Sequence, residues 1–231
     1  MRSPTWAWLS EARRAELAAE LVAEPVIGWR AWRLQPTIDG YALRSLTQDE
    51  DPWPRRSPFH AHCLRHVNHG PAPGASCVCG IYAWKEPSQL RGAARARPSV
   101  VGTVALWGRV VEHEGGYRAE HAYPQRLRLA CARCLAEGTP GTVGGLFHAT
   151  GWRSLLATGE LVSLCAHHAG PLVDSLLDPG PVERGLLAAY AVDLLPSDAV
   201  PAPAPPPPRR RWALGLRRRA EGGPGGPGRS P

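Results

Sequence analysis

Apolar and polar side chains alternate along five segments between residues 26 and 130, a pattern typical of β-strands with one buried face. Two turn signals separate them: Asp39-Gly40 precedes the second segment, and Gly115-Gly116 follows the third. We therefore predict that antiparallel hairpins form around these turns. The five segments are 26–34, 41–46, 100–113, 117–123 and 125–130.

Two other segments have helical composition. Residues 10–24 begin with Ser10 as a predicted N-cap and stop before Pro25. Their apolar residues are mostly alanine, so the buried stripe is narrow and we expect a helix packed on the outside of the sheet. Residues 181–195 carry a second helical pattern, which ends before Pro196.

These elements predict an α+β fold in three parts. We expect residues 1–130 to form the N-terminal helix on a small, bent antiparallel sheet with glycine and tryptophan at its bends. Residues 131–196 are expected to form a treble-clef-like zinc unit followed by the second helix. Residues 197–231, rich in Pro, Arg and Gly, have almost nothing to bury, so a disordered tail is expected.

The formal net charge of +7 is concentrated in that tail. Seven arginines stand against two acidic residues in 197–231, which leaves a charge of +5 in the tail and +2 in the rest of the chain. Any attraction for phosphate is therefore expected from the tail. The candidate nucleic-acid-binding residues are Arg209, Arg210, Arg211, Arg217, Arg218 and Arg219.

The cellular compartment is predicted from two sequence features, an export signal and a membrane span. The amino end has no apolar run typical of an export signal, and no stretch of roughly 18 apolar residues suggests a membrane span. We expect a cytoplasmic protein with no membrane partner. Because thiols stay reduced there, the six cysteines are interpreted as metal ligands or buried small side chains rather than disulfides.

A C-x-x-C pair and a C-x-x-H pair flank residues 135–164, and together they have the composition of a zinc site. Cys131 and Cys134 follow a predicted strand, as in a zinc knuckle, and Cys165 and His168 begin a stretch of helical composition. His167 is an alternative to His168. Four protein ligands leave no open position, so this zinc ion is expected to be structural.

A second group of possible ligands lies in or just after the long Pro/His-rich loop of residues 50–76. Cys63, Cys77 and Cys79 supply three thiols, with His69 as the favoured fourth ligand and His66 next. The C-x-C spacing sends side chains to opposite faces of a regular strand, so the backbone must turn there, which Gly80 permits. The alternative is a buried Cys79 beside solvated histidines without metal.

Three sequence blocks resemble those of a group of uncharacterised proteins from high-GC Gram-positive bacteria. The blocks are Gly28-Trp-Arg-Ala-Trp, Cys77-Val-Cys-Gly-Ile-Tyr-Ala-Trp and Val100 to Pro124, and the resemblance covers about residues 25–130. A His-x-x-Pro block in that group is matched here by His69-Gly-Pro-Ala-Pro. The resemblance implies one folded unit and favours His69 as a ligand. The group has no established function, so no activity is implied.

Acid and base groups are dense between residues 112 and 123, and five tryptophans lie between residues 29 and 107. No catalytic spacing such as H-E-x-x-H, G-x-S-x-G or a P-loop occurs. A polar hairpin end and a tryptophan core are the alternatives to a ligand pocket. The candidate ligand-binding residues are Trp107, Glu112, Arg118, Glu120, His121 and Tyr123, and the other tryptophans are Trp29, Trp32, Trp53 and Trp84.

Two functions from different classes follow from these features. We expect a zinc-stabilised binding module without catalytic activity, with one zinc ion at the first group and a second at the Cys63 group. Its partner would be a protein or a nucleic acid, to which the basic tail adds affinity. The alternative is an enzyme or small-molecule sensor that uses the tryptophan-rich sheet and the polar surface of residues 112–123.

Overall fold

A computed structural model of the protein contains both predicted hairpins, one around Asp39-Gly40 and one around Gly115-Gly116. The structure describes residues 24–46, 52–63, 72–74, 77–138, 141–149, 159–171 and 176–200. Its strands are β1 (Val26–Thr37), β2 (Gly40–Arg44), β3 (Phe59–His60), β4 (Ile81–Trp84), β5 (Val100–His113), β6 (Gly116–Leu129), β7 (Val143–Ala149), β8 (Glu160–Cys165) and β9 (Asp193–Leu194). Its helices are a 3₁₀ helix (Pro87–Ala96), α1 (Ala132–Glu137), α2 (Ala166–Ala169) and α3 (Pro179–Tyr190).

Four of the strands pair in a closed circuit. β1 pairs with β5, β5 pairs with β6 along almost its whole length, β6 pairs with β4, and β4 returns to β1 at the bridge between Trp29 and Trp84. The sheet must bend sharply to close over so few strands, and glycine permits the close backbone approach. A Cβ at Gly102 would overlap the carbonyl oxygen of Arg126, and one at Gly116 would overlap that of Ala83.

The core lies between this circuit and helix α3. Its side chains come from alternate positions of the strands, as expected for strands with one buried face. α3 adds Val182, Leu186 and Tyr190, which are spaced by four residues along one face of the helix. The largest fully buried side chains include Trp32, Trp53, Leu34, Leu43, Leu106, Leu127, Leu146 and Leu161.

The predicted fold class is wrong: the sheet is not a small one that supports an N-terminal helix. The described residues form a large, mainly antiparallel sheet of nine strands, with only short or peripheral helices. β8 joins it by pairing with β1, and β9 by pairing in parallel with β6. Local alternation reveals strands but not which distant strands pair, so the extent of the sheet was underestimated. Of the helix predicted over 10–24, residues 10–23 lie outside the described residues.

The remaining elements agree with the sequence in part. The helix predicted over 181–195 is present as α3 but ends at Tyr190, because Ala191 takes a left-handed conformation with φ of 51°. The chain then turns into β9. The boundary predicted at residue 130 stays a prediction, although β7 and β8 belong to the same sheet as β1. In the described part of the chain, no helix is long and apolar enough to cross a membrane.

Candidate metal centres

The first metal centre is built where two strands each run into a short helix. Cys131 follows β6 and is the N-cap residue of α1, and Cys134 lies in the first turn of that helix. Cys165 ends β8 and is the N-cap residue of α2, which carries His168. Each strand end therefore delivers one pair of ligands, as the two C-x-x-C/H spacings predict.

The four side chains converge at distances suited to one ion. His168 Nδ1 lies 3.5, 3.4 and 3.2 Å from the Sγ atoms of Cys131, Cys134 and Cys165, and the Sγ atoms of Cys134 and Cys165 are 3.4 Å apart. All four ligand atoms lie within 4.8 Å of one another. Around tetrahedral zinc, ligand atoms are about 3.5–3.8 Å apart, given Zn–S of about 2.3 Å and Zn–N of about 2.0 Å. The group can therefore hold a metal ion.

Burial leaves the thiols with few partners other than one another. Cys131, Cys134 and Cys165 are 2%, 6% and 6% exposed. Burial, with the neighbouring Cys165 thiol next, raises the pKa of Cys134 to about 12. Burial also acts to raise the pKa of Cys165, but the backbone N–H of His168 and the Cys134 thiol outweigh it and lower that pKa. A cation bound between the two sulfurs would replace the proton on Cys134.

A carboxylate that was not among the ligands predicted from the sequence completes the centre. Glu137 Oε1 lies 3.2 Å from His168 Nε2, so the ring can donate to the carboxylate while Nδ1 faces the thiols. Such a partner fixes the tautomer and orientation of a ligand histidine. Glu137 lies one turn after Cys134 on α1, and this spacing is the only signal in the sequence. His167, the alternative ligand, is exposed and stands outside the group.

The second centre contains Cys63, Cys77 and Cys79. Their Sγ atoms lie within 4.8 Å of one another, with 3.8 Å between Cys63 and Cys77. The backbone turns after the C-x-C segment, as predicted, because Gly80 has φ of 126°. The N–H of Gly74 donates to Cys79 Sγ over 3.2 Å. The three thiols can hold a metal ion, whereas His66 and His69 lie outside the described residues.

Arg118 holds the C-x-C segment against β6. Its guanidinium donates to the carbonyl oxygens of Cys77 and Cys79, the latter over 3.2 Å. β6 itself is fixed by pairing with β4, in which Arg118 lies opposite Tyr82. Arg118, predicted as a ligand-binding residue, therefore contacts the backbone of the second centre.

A cavity of about 580 Å³ adjoins the second centre, and all three of its cysteines line the wall. The aromatic residues Phe59, Tyr82 and Trp84 also line it. Basic groups also line it: Arg30, His62 and His113. Asp and Glu are absent from the described residues that form the lining. The cavity has the size of a small-molecule site.

Of the polar residues of 112–123, His113 lines that cavity, but the candidate ligand-binding residues do not. Glu112 is 67% exposed and pairs with Lys85 at 2.7 Å, which lowers the pKa of its carboxyl group. Glu120 Oε2 accepts from the backbone N–H of Arg109. Tyr123 donates its hydroxyl to the carbonyl oxygen of Tyr190 over 2.5 Å. Glu120 Oε1 lies 3.6 Å from His121 Nε2, but neither residue lines the cavity.

The tryptophans divide between core and surface. Trp32 and Trp53 are 0% and 1% exposed, and their rings meet edge to face with centroids 5.5 Å apart. Trp29 is half-buried against the sheet, and the Trp107 ring lies 5.9 Å from that of His121. Of the five, Trp84 lines the large cavity. The arginines predicted to contact nucleic acid lie outside the described residues.

The two centres differ in what their geometry permits. The first offers four ligand atoms, which satisfy a tetrahedral ion and leave no position for a reactant. The second offers three thiols beside an open cavity. Comparisons with models of protein families, with curated proteins and with solved structures found no match for this chain.

Proposed function

We propose that the protein is a zinc-stabilised binding module without catalytic activity. The observation that supports this most directly is the closed set of Cys131, Cys134, Cys165 and His168, with Glu137 on the far side of the imidazole. Three thiolates and one imidazole at tetrahedral spacing suit zinc better than the harder divalent cations. An ion so enclosed stabilises the fold and meets no substrate.

The order of elements around the ion supports a treble-clef-like arrangement. A knuckle at the start of α1 supplies the first two ligands, the β7–β8 hairpin follows, and α2 supplies the last two. α1 and α2 have six and four residues, too few for a helix that is stable on its own. Zinc would therefore supply much of the free energy that orders this part of the chain.

A second zinc ion at Cys63, Cys77 and Cys79 is part of the same proposal. It would tie the segment before β4 to the end of the β3 region, two stretches with few apolar anchors. The sequence favours His69 as a further ligand, with His66 as the alternative. Arg118 donates hydrogen bonds to the carbonyl oxygens of Cys77 and Cys79, and this supports a site whose backbone is ordered before the metal binds.

The partner of the module is proposed to be a cytoplasmic protein or nucleic acid. The support for nucleic acid is the +5 charge of residues 197–231, since phosphate contacts by arginine give affinity without sequence preference. The binding surface would then include the six arginines between 209 and 219.

A small-molecule sensor is the second candidate function, favoured by the cavity of about 580 Å³. Its wall, rather than the surface of residues 112–123, combines aromatic and basic side chains in a concave space. This candidate is compatible with the first, because a module held by zinc can also bind a ligand.

Metal analysis of the purified full-length protein tests the main proposal. We expect close to two zinc ions per chain, with one lost in Cys134→Ser or His168→Ala and one lost in Cys77→Ser. His167→Ala is the matched control and should keep both ions, because His167 stands outside the group. A metal-free protein after mild purification would contradict both centres, and loss in Cys134→Ser but not in Cys77→Ser would contradict the second.

A further inference from the structure

The sheet itself brings the two halves of the second centre together. β3 and β4 pair with the edge of β6 that β5 does not occupy, β4 as far as Ala119 and β3 from His121. Between them, the N–H of Ala61 donates to the carbonyl oxygen of Glu120 over 2.7 Å. The end of β3 therefore meets the start of β4, and the cysteines just beyond these two ends come close whether or not an ion is bound.

Two of the three sulfurs form a pair. The Sγ atoms of Cys63 and Cys77 lie 3.8 Å apart, so a disulfide bond of about 2.0 Å needs a further approach of about 1.8 Å. The sulfur of Cys79 is held differently, because it accepts from the N–H of Gly74 over 3.2 Å. Cys77 is therefore the favoured partner of Cys63.

Solvent reaches this pair more easily than the thiols of the first centre. Cys63 and Cys77 are half-buried, and both line the cavity of about 580 Å³. The Sγ atoms of Cys134 and Cys165 are closer to each other, at 3.4 Å, but each residue is only 6% exposed. Because the oxidation of a thiol depends on its exposure, a dissolved oxidant should react first at the second centre.

We propose that Cys63 and Cys77 are an oxidative modification site, at which a peroxide converts the two thiols to a reversible disulfide. The disulfide needs no metal. The release of an ion on oxidation, in contrast, rests on the second zinc ion of the proposed function. In a cytoplasmic protein, such a disulfide is transient and serves redox sensing.

The reaction transfers two electrons from the two sulfurs to one molecule of hydrogen peroxide. One sulfur attacks a peroxide oxygen, the O–O bond breaks, and a sulfenic acid forms with release of water. The other sulfur then attacks the first, the S–O bond breaks, and a second water leaves. Two thiols supply the two protons that these waters require. Zinc-bound thiolates take them from solvent instead, and the ion leaves because the two sulfurs are no longer thiolate ligands.

Peptide mapping of the full-length protein after brief treatment with hydrogen peroxide tests the proposal. Trypsin cleaves after Arg65, so Cys63 lies in peptide 57–65, and Cys77 lies with Cys79 in peptide 66–85. We expect these two peptides to become linked, with a mass two hydrogen atoms below their sum, and to separate again after reduction with dithiothreitol. A chromophoric chelator should detect one released zinc ion per chain, while the thiols of the first centre stay unmodified.

Three serine variants identify the pair. Cys79→Ser loses one zinc ligand but keeps both paired sulfurs, so it should still form the link and is the matched control. Cys63→Ser and Cys77→Ser should lose the link, and a link that persists in Cys77→Ser would assign the bond to Cys79 and overturn the pair.

The other outcomes separate the modification site from the metal. An unmodified second centre, sulfinic acid without a link, or earlier oxidation of the first-centre thiols would each overturn the proposal. If the untreated protein holds a single zinc ion and the link still forms without zinc release, the modification site stands and only the second zinc ion of the proposed function is overturned.

Discussion

His168 shows how one side chain joins the two halves of the first centre. Its Nδ1 faces the three sulfurs, and its Nε2 lies 3.2 Å from Glu137 on the helix that carries Cys134. The imidazole is therefore fixed from both sides before an ion arrives. Glu137 lies at the carboxyl end of α1, where a negative charge is unfavourable to the helix, so the contact with His168 accounts for its placement.

Glu137→Ala tests this role at the level of a single side chain. We expect zinc affinity at the first centre to fall by about tenfold to a hundredfold, because the histidine loses the group that orients it. Competition with a chromophoric chelator measures the change. Glu112→Ala is the matched control, since that exposed glutamate pairs with Lys85 and lies outside both centres. Equal affinities for the two variants would show that Glu137 is a surface carboxylate only.

Helix α3 is fixed to the sheet at its last residue. The hydroxyl of Tyr190 donates to the carbonyl oxygen of Trp53 over 2.8 Å and accepts from the N–H of Leu43 over 2.9 Å. The carbonyl oxygen of Tyr190 accepts from Tyr123, so both ends of the residue are bonded. Burial, the largest effect, raises the pKa of Tyr190 to about 12.

Tyr190→Phe should lower the free energy of unfolding by about 1–3 kcal/mol, because it leaves a buried N–H and a buried carbonyl without their partner. Urea unfolding near pH 8 measures this loss. Leu187→Ala on the same helix would not test these hydrogen bonds, because it removes apolar packing against the core instead. An unchanged free energy of unfolding would mean that water replaces the hydroxyl at this position.

The same hydroxyl predicts a pH dependence in the alkaline range. Its pKa is about 12 in the folded protein and 10.0 in the unfolded chain, so the folded state keeps a proton that the unfolded state releases. The stabilisation is complete below pH 10 and is lost as the pH rises toward 12, by about 2–3 kcal/mol. The difference in unfolding free energy between the unmodified protein and Tyr190→Phe should therefore shrink from pH 9 to pH 11.5. A constant difference would contradict the shift.

The elements that sequence could predict are those with a long local pattern. The alternation over 100–113 and 117–130 became the β5–β6 hairpin, and Asp39-Gly40 became the β1–β2 turn. The sequence could not show that β8 joins β1, because Arg33 and Glu160, which meet at 3.2 Å beside that pairing, are 127 positions apart. β3 and β9 have two residues each, too few for a pattern.

The residues of the candidate sites also divide into those with a local sequence pattern and those without one. Ligand spacing is local, so C-x-x-C and C-x-x-H identified the first centre, and the C-x-C identified the second. Glu137 was missed because its role depends on a histidine 31 positions away. Arg118 was assigned to a ligand surface because composition alone could not show that its guanidinium contacts the carbonyls of Cys77 and Cys79.

At the scale of the whole molecule, the folded part continues past the predicted start of the tail at residue 197. Ala199 and Val200 pack against the cluster that contains Leu90, Leu135 and Leu195. The N–H of Ala199 also donates to the carbonyl oxygen of Pro196. The tail should therefore be counted from residue 201, beyond the described residues.

Two truncations test that boundary. Removal of 201–231 should leave the melting temperature nearly unchanged, because the deleted sequence is rich in Pro, Arg and Gly. Removal of 197–231 also deletes Ala199 and Val200, and the lost packing of about 1 kcal/mol should lower the melting temperature by about 2–4 °C. Calorimetry measures both. If removal of 201–231 alone lowers the melting temperature by several degrees, Trp212 or Leu214 packs on the folded part of the chain.

The tail also decides between the two kinds of partner. If nucleic acid binds through the six arginines from Arg209 to Arg219, each phosphate contact releases condensed counterions, so affinity must fall steeply as salt rises. We expect a log–log slope of roughly four to six in magnitude for a single-stranded or duplex probe, measured by fluorescence anisotropy. Removal of 201–231 should abolish both the binding and the slope. Binding that survives the truncation with little salt dependence would place the contact on the body. Phosphate attraction is strongest at low salt, so no binding at any salt concentration would rule out nucleic acid. A protein partner or a small-molecule ligand in the cavity would then remain.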